Sequence, residues 1–400
     1  MRSHDLVLYG ATGFVGKITA AYLARSAPAG TRIALGGRSR ERLEAVRDQL
    51  GVDWPVVVAD SADTAALRSL AESTTAVATT VGPYARYGLP LVAACAAAGT
   101  HYADLTGEAL FVRDAIDASH DVAVASGARI VASCGFDSVP SDLGVLLTAE
   151  AARADGAGQL TDTTLVLVSA RGGVSGGTVD SLRGMVDVIT ADSDKRRALT
   201  DPYSLSPDRA AEPDLGRESD AAGISRVDGR WTGPFVMAPH NTRIVRRSNA
   251  LQDWAYGRTF RYRELMGFGS SPAGPVLAAA TAAGIFGVGA GLAFKPTRVL
   301  LDRVLPKPGQ GPSVATQDSG HFTVEVTATT TSGARYRTTV AAKGDPGYAA
   351  TAVMLGESGL CLALDELSCG GGVLTPATAM GDRLAARLRT AGFTLRTERL

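Results

Sequence analysis

Gly10-Ala11-Thr12-Gly13-Phe14-Val15-Gly16 stands between a short apolar run, Asp5–Tyr9, and a helix-like run, Val15–Ser26. Glycines at this spacing suit a pyrophosphate. Gly10 would permit a tight turn, Gly13 would let the backbone approach the phosphates, and Gly16 would let strand and helix pack closely. The anion would rest on the free N–H groups at the helix N-terminus. Thr12, Phe14 and Val15 complete the candidate loop. A glycine triplet can also be a plain structural turn. Its setting, a strand before it and a helix after it with more such units behind, points to a dinucleotide.

The end of the second strand bears on which dinucleotide. An NAD site usually presents a carboxylate there for the ribose hydroxyls. This chain reads Gly36-Gly37-Arg38-Ser39-Arg40. A carboxylate repels a 2′-phosphate, whereas a guanidinium binds it with two parallel hydrogen bonds. Arg38 and Ser39 are the expected phosphate contacts, and Arg40 either joins them or merely opens a solvated helix. NADP is expected over NAD. Asp60, closing the third strand, is placed to reach adenine. Val81-Gly82-Pro83-Tyr84 closes the fourth, where the nicotinamide ribose should lie.

These residues need a scaffold of alternating strands and helices. Strands are expected at Asp5–Tyr9, Arg32–Gly36, Val56–Asp60, Ala76–Val81 and Arg129–Ser133. Helices are expected at Val15–Ser26, Arg40–Leu50, Ala62–Glu72, Pro90–Ala98 and Ala109–Ser126. That alternation implies an α/β Rossmann domain, a doubly wound parallel sheet, over 1–145. A second, α+β domain is expected over 146–370. It has a strand at Thr163–Ser169, a glycine turn at Gly172–Gly177 and a helix at Thr178–Ala191. A polar excursion follows at Ser193–Gly233, then a hairpin at His321–Ala328 and Ala334–Ala342 and a helix at Tyr348–Leu364. Residues 371–400 read as a C-terminal helix, Pro376–Ala391, packing back on the core.

Composition bounds the function. The 400 residues carry 40 Lys+Arg and 40 Asp+Glu, so the formal charge is zero. A dedicated nucleic-acid binder would need a basic excess, and none is expected here. Cys95, Cys134, Cys361 and Cys369 form no C-x-x-C pair, so no metal knuckle or disulfide framework is read. Met1 leads directly into strand-like sequence without a signal-peptide pattern. A cytoplasmic protein is expected.

Five segments together resemble the saccharopine dehydrogenase-like oxidoreductases. They are Gly10–Gly16, Gly36–Ser39, Thr80–Tyr84, Asp104-Leu105-Thr106-Gly107-Glu108, and Cys134-Gly135-Phe136-Asp137-Ser138-Val139-Pro140-Ser141-Asp142. With Gly172–Thr178, Asn241–Leu251 and Gly372–Ala377, the likeness extends over essentially the whole chain and is closest to the actinobacterial trans-acting enoyl reductases of that family. The resemblance implies an NADP-dependent reductase. Its implied substrate is the α,β double bond of an acyl thioester on a polyketide synthase carrier domain, and the implied products are phthiocerol- and phenolphthiocerol-type lipids. The rival readings are a saccharopine-type amino-acid dehydrogenase and a non-catalytic NADP-binding, lipid-associated protein. A homo-oligomer is compatible with any of them.

Enoyl reduction needs hydride at the β-carbon, a proton at the α-carbon and a hydrogen-bond donor near the thioester oxygen. Tyr84, Asp137 and Ser175 are the catalytic candidates, each with a structural alternative. Tyr84 and Tyr87 could instead pack the loop after the fourth strand. Asp137 and Ser138 could organise a loop, and Ser175 could sit in a tight turn. Asp104 and Glu108 are equally readable as caps of the next helix. His240 reads more readily as an ordinary structural residue. No spacing forces an acid–base pair. Arg243, Arg246, Arg247, Arg258, Arg261 and Arg263 form either a dock for an acidic carrier domain or a solvated face.

Leu265–Phe294 carries no charged residue. Three readings compete: a transmembrane helix, a membrane-surface or acyl-chain-binding element, and a buried core helix. The second would bring peripheral membrane contact through 265–294, at the inner face of the plasma membrane.

Overall fold

The computed structural model describes residues 2–172, 193–213, 223–294, 296–298 and 319–400. The chain opens with strand–helix units: His4–Tyr9 (β1), Phe14–Ser26 (α1), Ile33–Gly37 (β2), Arg40–Leu50 (α2), Val56–Val58 (β3), Thr64–Ser73 (α3), Thr74–Thr79 (β4), Tyr84–Ala98 (α4), His101–Ala103 (β5), Ala109–Ser126 (α5) and Arg129–Val131 (β6). Each strand is short, and all but the edge strand β3 are mostly buried, because helices cover both faces of a parallel sheet. Along β1 the burial alternates between faces. Leu6 and Leu8 enter one apolar cluster, and Val7 enters the other.

Val139–Ala154 (α6) leads into a second group: Leu160–Arg171 (β7), Ser193–Thr200 (α7), Ser225–Val227 (β8), Arg230–Pro234 (β9), Ala238–Leu251 (α8), Arg261–Gly267 (β10), Gly274–Ala293 (α9), His321–Thr330 (β11) and Arg335–Lys343 (β12). The chain ends with Thr351–Leu364 (α10), Gly372–Leu374 (β13), Pro376–Ala379 (α11), Gly381–Thr390 (α12) and Thr394–Arg399 (β14).

Among the described residues these strands form two sheets. The first runs β13-β6-β5-β4-β1-β2-β3 and is parallel throughout. Its order reverses at β1, the switch point where open α/β sheets bind ligands beyond their carboxyl ends. The second runs β14-β12-β11-β7-β10-β9-β8, with β7 and β10 parallel and the other pairs antiparallel. A Rossmann sheet with a second α+β layer is therefore the architecture, as composition and alternation imply.

Several local expectations are corrected. The expected helix at Pro376–Ala391 is present as α11 and α12, interrupted at Met380, but 371–400 is more than that helix: β13 extends the first sheet and β14 the second. Nor does the chain divide cleanly near 371. α10 already lies on the first sheet, where a Cβ on Gly359 would sit 3.0 Å from Leu6 and 3.2 Å from Ala78. The stretch 193–233 is more than a surface excursion. It contains α7, β8 and β9, and it buries Tyr203 and Leu205. The expected helix at Thr178–Ala191 and most of the glycine turn before it lie outside the described residues.

The buried-core reading of 265–294 also fails. Only one stripe of α9, including Gly274 and Ala278, is covered, against Trp231 and Gly233 of β9. Val276 is 69% exposed and Phe286 59%.

Candidate active site

Gly10 sits at φ +90°, and a side chain there would meet Thr80 Oγ1 at 2.6 Å and Val81 Cγ2 at 2.8 Å. A Cβ on Gly16 would run into the Gly10 carbonyl. Those two glycines let the turn fold onto β4 and let α1 approach it. Gly13 differs, being exposed, with only the Gly10 oxygen, at 3.2 Å, in the way of a side chain. It precedes α1, whose N-terminus carries no side-chain cap and no acidic residue in its first turn. The N–H groups of Phe14, Val15 and Gly16 therefore lack intrahelical acceptors by geometry. Thr12, Phe14 and Val15 are half-buried, and the Phe14 ring stands edge-on to Tyr348 at 5.0 Å.

Beyond β2, Arg38 is exposed and makes no hydrogen bond or ion pair among the described residues. Its charge acts on the Tyr9 phenol, which burial and then Asp60 push up to about 12 against Arg38's opposing pull. Asp60 is exposed and accepts from the Ala62 N–H at 2.9 Å. Ser39 caps α2, accepting from Arg42 N–H at 3.4 Å. Arg40 pairs with Glu44 at 3.7 Å on the surface, so it belongs to the solvated helix.

On the other side of the switch point, the loop after β4 holds half-buried Val81 and Pro83 and exposed Gly82. Tyr84 is corrected as a hydrogen-bond donor to substrate. It is 6% exposed, its hydroxyl donates to Thr79 O at 3.1 Å, and it accepts from Leu105 N–H at 3.1 Å. Tyr87 is covered by the Arg86 guanidinium, 5.0 Å from its ring centre. Glu108 does cap a helix, but not the one that follows it: its carboxylate accepts from Tyr84 N–H and Ala85 N–H at the start of α4. Asp104 binds the β5 and β6 loops together, accepting from Thr106 N–H, Ser133 N–H and the Tyr102 hydroxyl. Burial pushes its carboxyl up to about 6.

Three segments meet beside these strand ends: the β5 loop, the β6 loop and the start of α8. Next to Gly107 lie both Met237 Cε, at 3.2 Å from a notional Cβ, and Asp137 Oδ2, at 3.6 Å. Asp137 is half-buried and has no hydrogen-bond partner among the described residues. Burial alone pushes its carboxyl up to about 6. One turn into α8, His240 is 4% exposed, with Nε2 2.9 Å from Ser133 Oγ. Among the described residues its Nδ1 is buried without a partner. Burial, followed by the Arg243 charge, lowers its pKa to about 3, so the ring is neutral. Ser133 takes a left-handed backbone, φ 64°, which turns its side chain and the chain itself at the end of β6. Ser138 donates to Asn241 Oδ1, and Asn241 donates to Glu264 at 2.9 Å. Ser175 lies outside the described residues. No sequence pattern marked Ser133 or Met237, because a lone left-handed serine and a lone methionine carry no spacing signal.

The arginines of α8 do not form a dock, nor a solvated face. Arg243 donates to Leu199 O at 2.5 Å and to Asp201 O. Arg246 donates to Tyr262 O, and Arg247 to Leu205 O and Val373 O. All three are buried and tie distant backbone carbonyls together. Arg258 stacks over Trp254, and Arg263 donates to Thr164 Oγ1.

The saccharopine dehydrogenase NADP binding domain matches residues 6–131. A Mycobacterium tuberculosis protein provisionally named a trans-acting enoyl reductase is 55% identical over 414 residues, covering 100% of this chain and 98% of its own. The trans-acting enoyl reductase of Mycobacterium bovis is 53% identical, covering 100% and 99%. In the fold comparison, the apo, histidine-tagged saccharopine dehydrogenase (L-Glu forming) of Saccharomyces cerevisiae superposes with a TM-score of 0.56, at 14% identity, over 99% of each chain. At that identity the likeness is one of fold.

Proposed function

The chain belongs to the trans-acting enoyl reductases, with a saccharopine dehydrogenase NADP binding domain at its amino end, and from that premise we propose how it works. It is an NADP-dependent oxidoreductase that reduces the α,β double bond of an acyl thioester carried by a polyketide synthase. The acyl chains of phthiocerol- and phenolphthiocerol-type lipids are the substrates the family likeness suggests. The cytoplasm is the compartment in which we place it.

The observation that carries this reading is the alignment of loops along one sheet edge. Gly10–Gly16, Thr80–Pro83, Asp104–Glu108 and Ser133–Asp137 follow β1, β4, β5 and β6, which are neighbours in the sheet. A glycine cradle at the switch point and an uncapped helix end suit a diphosphate. Exposed Arg38, without an ion-pair partner among the described residues, suits a 2′-phosphate. NADPH, when bound, supplies the hydride. Met237, Gly107 and Asp137 border the space beyond β5 and β6. There Asp137 holds a proton for the α-carbon, its carboxyl raised by burial toward neutrality. The neutral His240, oriented through Ser133, offers a ring N–H to the thioester oxygen as enolate character develops.

An amino-acid substrate with several carboxylates would need free cations at the site. The three α8 arginines are committed to backbone carbonyls, which weighs against a saccharopine-type reaction.

The test is NADPH consumption at 340 nm with an α,β-unsaturated acyl thioester on pantetheine or on a carrier domain. Oxidation matched by formation of the saturated thioester is expected. Tight NADPH binding with no turnover on either thioester overturns the assignment.

A further inference from the structure

α9 is the anomaly on the molecular surface. Helices that lie on a protein usually present charge to water on the face turned away from it. This one presents none: Leu265–Phe294 contains no Asp, Glu, Lys or Arg. Its protein-facing stripe runs through Gly274, Ala278, Ile285 and Leu292 at helical spacing, and the opposite face leaves Val276, Leu277 and Phe286 exposed. Phe294, at the helix end, is 62% exposed. Among the described residues one other helical stretch, Pro346–Leu364, is as long and nearly as apolar. It is mostly buried within the fold, so α9 alone is left facing out.

Twenty residues give about 30 Å of helix, long enough to cross a hydrocarbon core. Two observations argue that it does not cross. One side of it is packed against β9. In addition, the chain must return to β11 of the same sheet through 295–320. That segment carries Lys295, Arg298, Asp302, Arg303, Lys307 and Asp318, which a bilayer interior would not accept. A helix held on the protein along one stripe and apolar on the other can lie in the plane of a membrane. The residues just after it, 295–307, hold four cations against one carboxylate, the complement of anionic headgroups.

We infer that α9 docks the protein on an anionic bilayer surface, its Val276–Leu277–Phe286 face immersed in the interfacial layer. The docking face adjoins the candidate active site. Gly233 of β9 lies against Ala278, and four residues later Met237 borders Gly107 and Asp137. Between them Val236 is 52% exposed. An acyl chain could pass from the bilayer to the strand ends along this apolar margin. The docking itself stands whether or not the reductase assignment holds.

The experiment is vesicle flotation of the full chain with phosphatidylglycerol–phosphatidylethanolamine vesicles. The wild type should float. The V276E/F286E variant changes only exposed positions, so it should keep its circular dichroism spectrum and melting temperature and bind at least about tenfold more weakly. Environment-sensitive labels at V276C and F294C should report similar depths. A wild type that stays in the aqueous fraction at every lipid concentration overturns the inference. So does a wild-type dimer that the variant splits and that leaves vesicles unbound, since a second copy would then cover the face. Labels at opposite depths overturn the in-plane placement in favour of a span.

Discussion

The His240 ring nitrogen Nε2 lies 2.9 Å from the Ser133 hydroxyl, across 107 positions of sequence. One residue lies in the loop just after β6 of the parallel sheet, and the other is in the first turn of a helix supplied by the second half of the chain. Contact between them places a neutral imidazole at the carboxyl edge of the sheet where the switch point lies.

For His240→Gln, kcat for enoyl thioester reduction should fall about 100-fold with the NADPH dissociation constant unchanged. Steady-state kinetics alongside a coenzyme titration separates the two. The stability consequence has a definite sign. The folded pKa, about 3, lies below the usual value of about 6.5. Below about pH 6.5 the unfolded chain therefore binds the extra proton, and stability falls as pH drops toward 3. That part of the slope should be missing in the variant when melts are compared from pH 7 to pH 4.

Asp137 titrates in the opposite sense. Its folded pKa is raised to about 6 against about 3.9 for a free Asp. The folded state thus binds more protons between about pH 4 and pH 6, and this group's favourable contribution is lost as pH rises through that window. Asp137→Asn should be more stable than the wild type at pH 8, by about 1–2 kcal/mol, and should lose that advantage at pH 4. If the carboxyl is the proton source, wild-type kcat should decline above about pH 6, and the variant should be slow with a flat profile. A variant with full activity at every pH would remove Asp137 from the chemistry.

Arg38→Ala should weaken NADPH binding by about 10- to 100-fold and leave NADH binding nearly unchanged, because only NADPH carries the 2′-phosphate. Isothermal titration with both coenzymes reads the ratio. Equal losses would mean that Arg38 supports the fold of the β2 turn instead.

Two glycines three apart in one loop should separate. Gly13 is exposed and a side chain meets only the Gly10 oxygen, at 3.2 Å, so Gly13→Val should keep a near-normal melting temperature and lose NADPH. Gly16 has the Gly10 carbonyl in the place of its Cβ, so Gly16→Val should push α1 off the sheet and cost several kcal/mol. Here the two replacements lie only three residues apart, yet thermal melts with and without NADPH should tell them apart.

The sequence alone determined the parallel sheet and its cofactor edge. Apolar runs such as Asp5–Tyr9, the glycine loop and Arg38 are local signals, each confined to a few adjacent residues whose spacing reflects one strand, one turn or one helix end. The tertiary structure decided what local patterns cannot contain. It matched His240 to Ser133, sent Glu108 back to cap α4 and spent the α8 arginines on carbonyls as far away as Val373. It also drew β13 and β14 into separate sheets and left α9 uncovered. A side chain's type limits which bonds it can make, but which partner lies within 3 Å depends on how distant segments pack. Burial, which sets the pKa of Asp137 and His240, is a property of that packing.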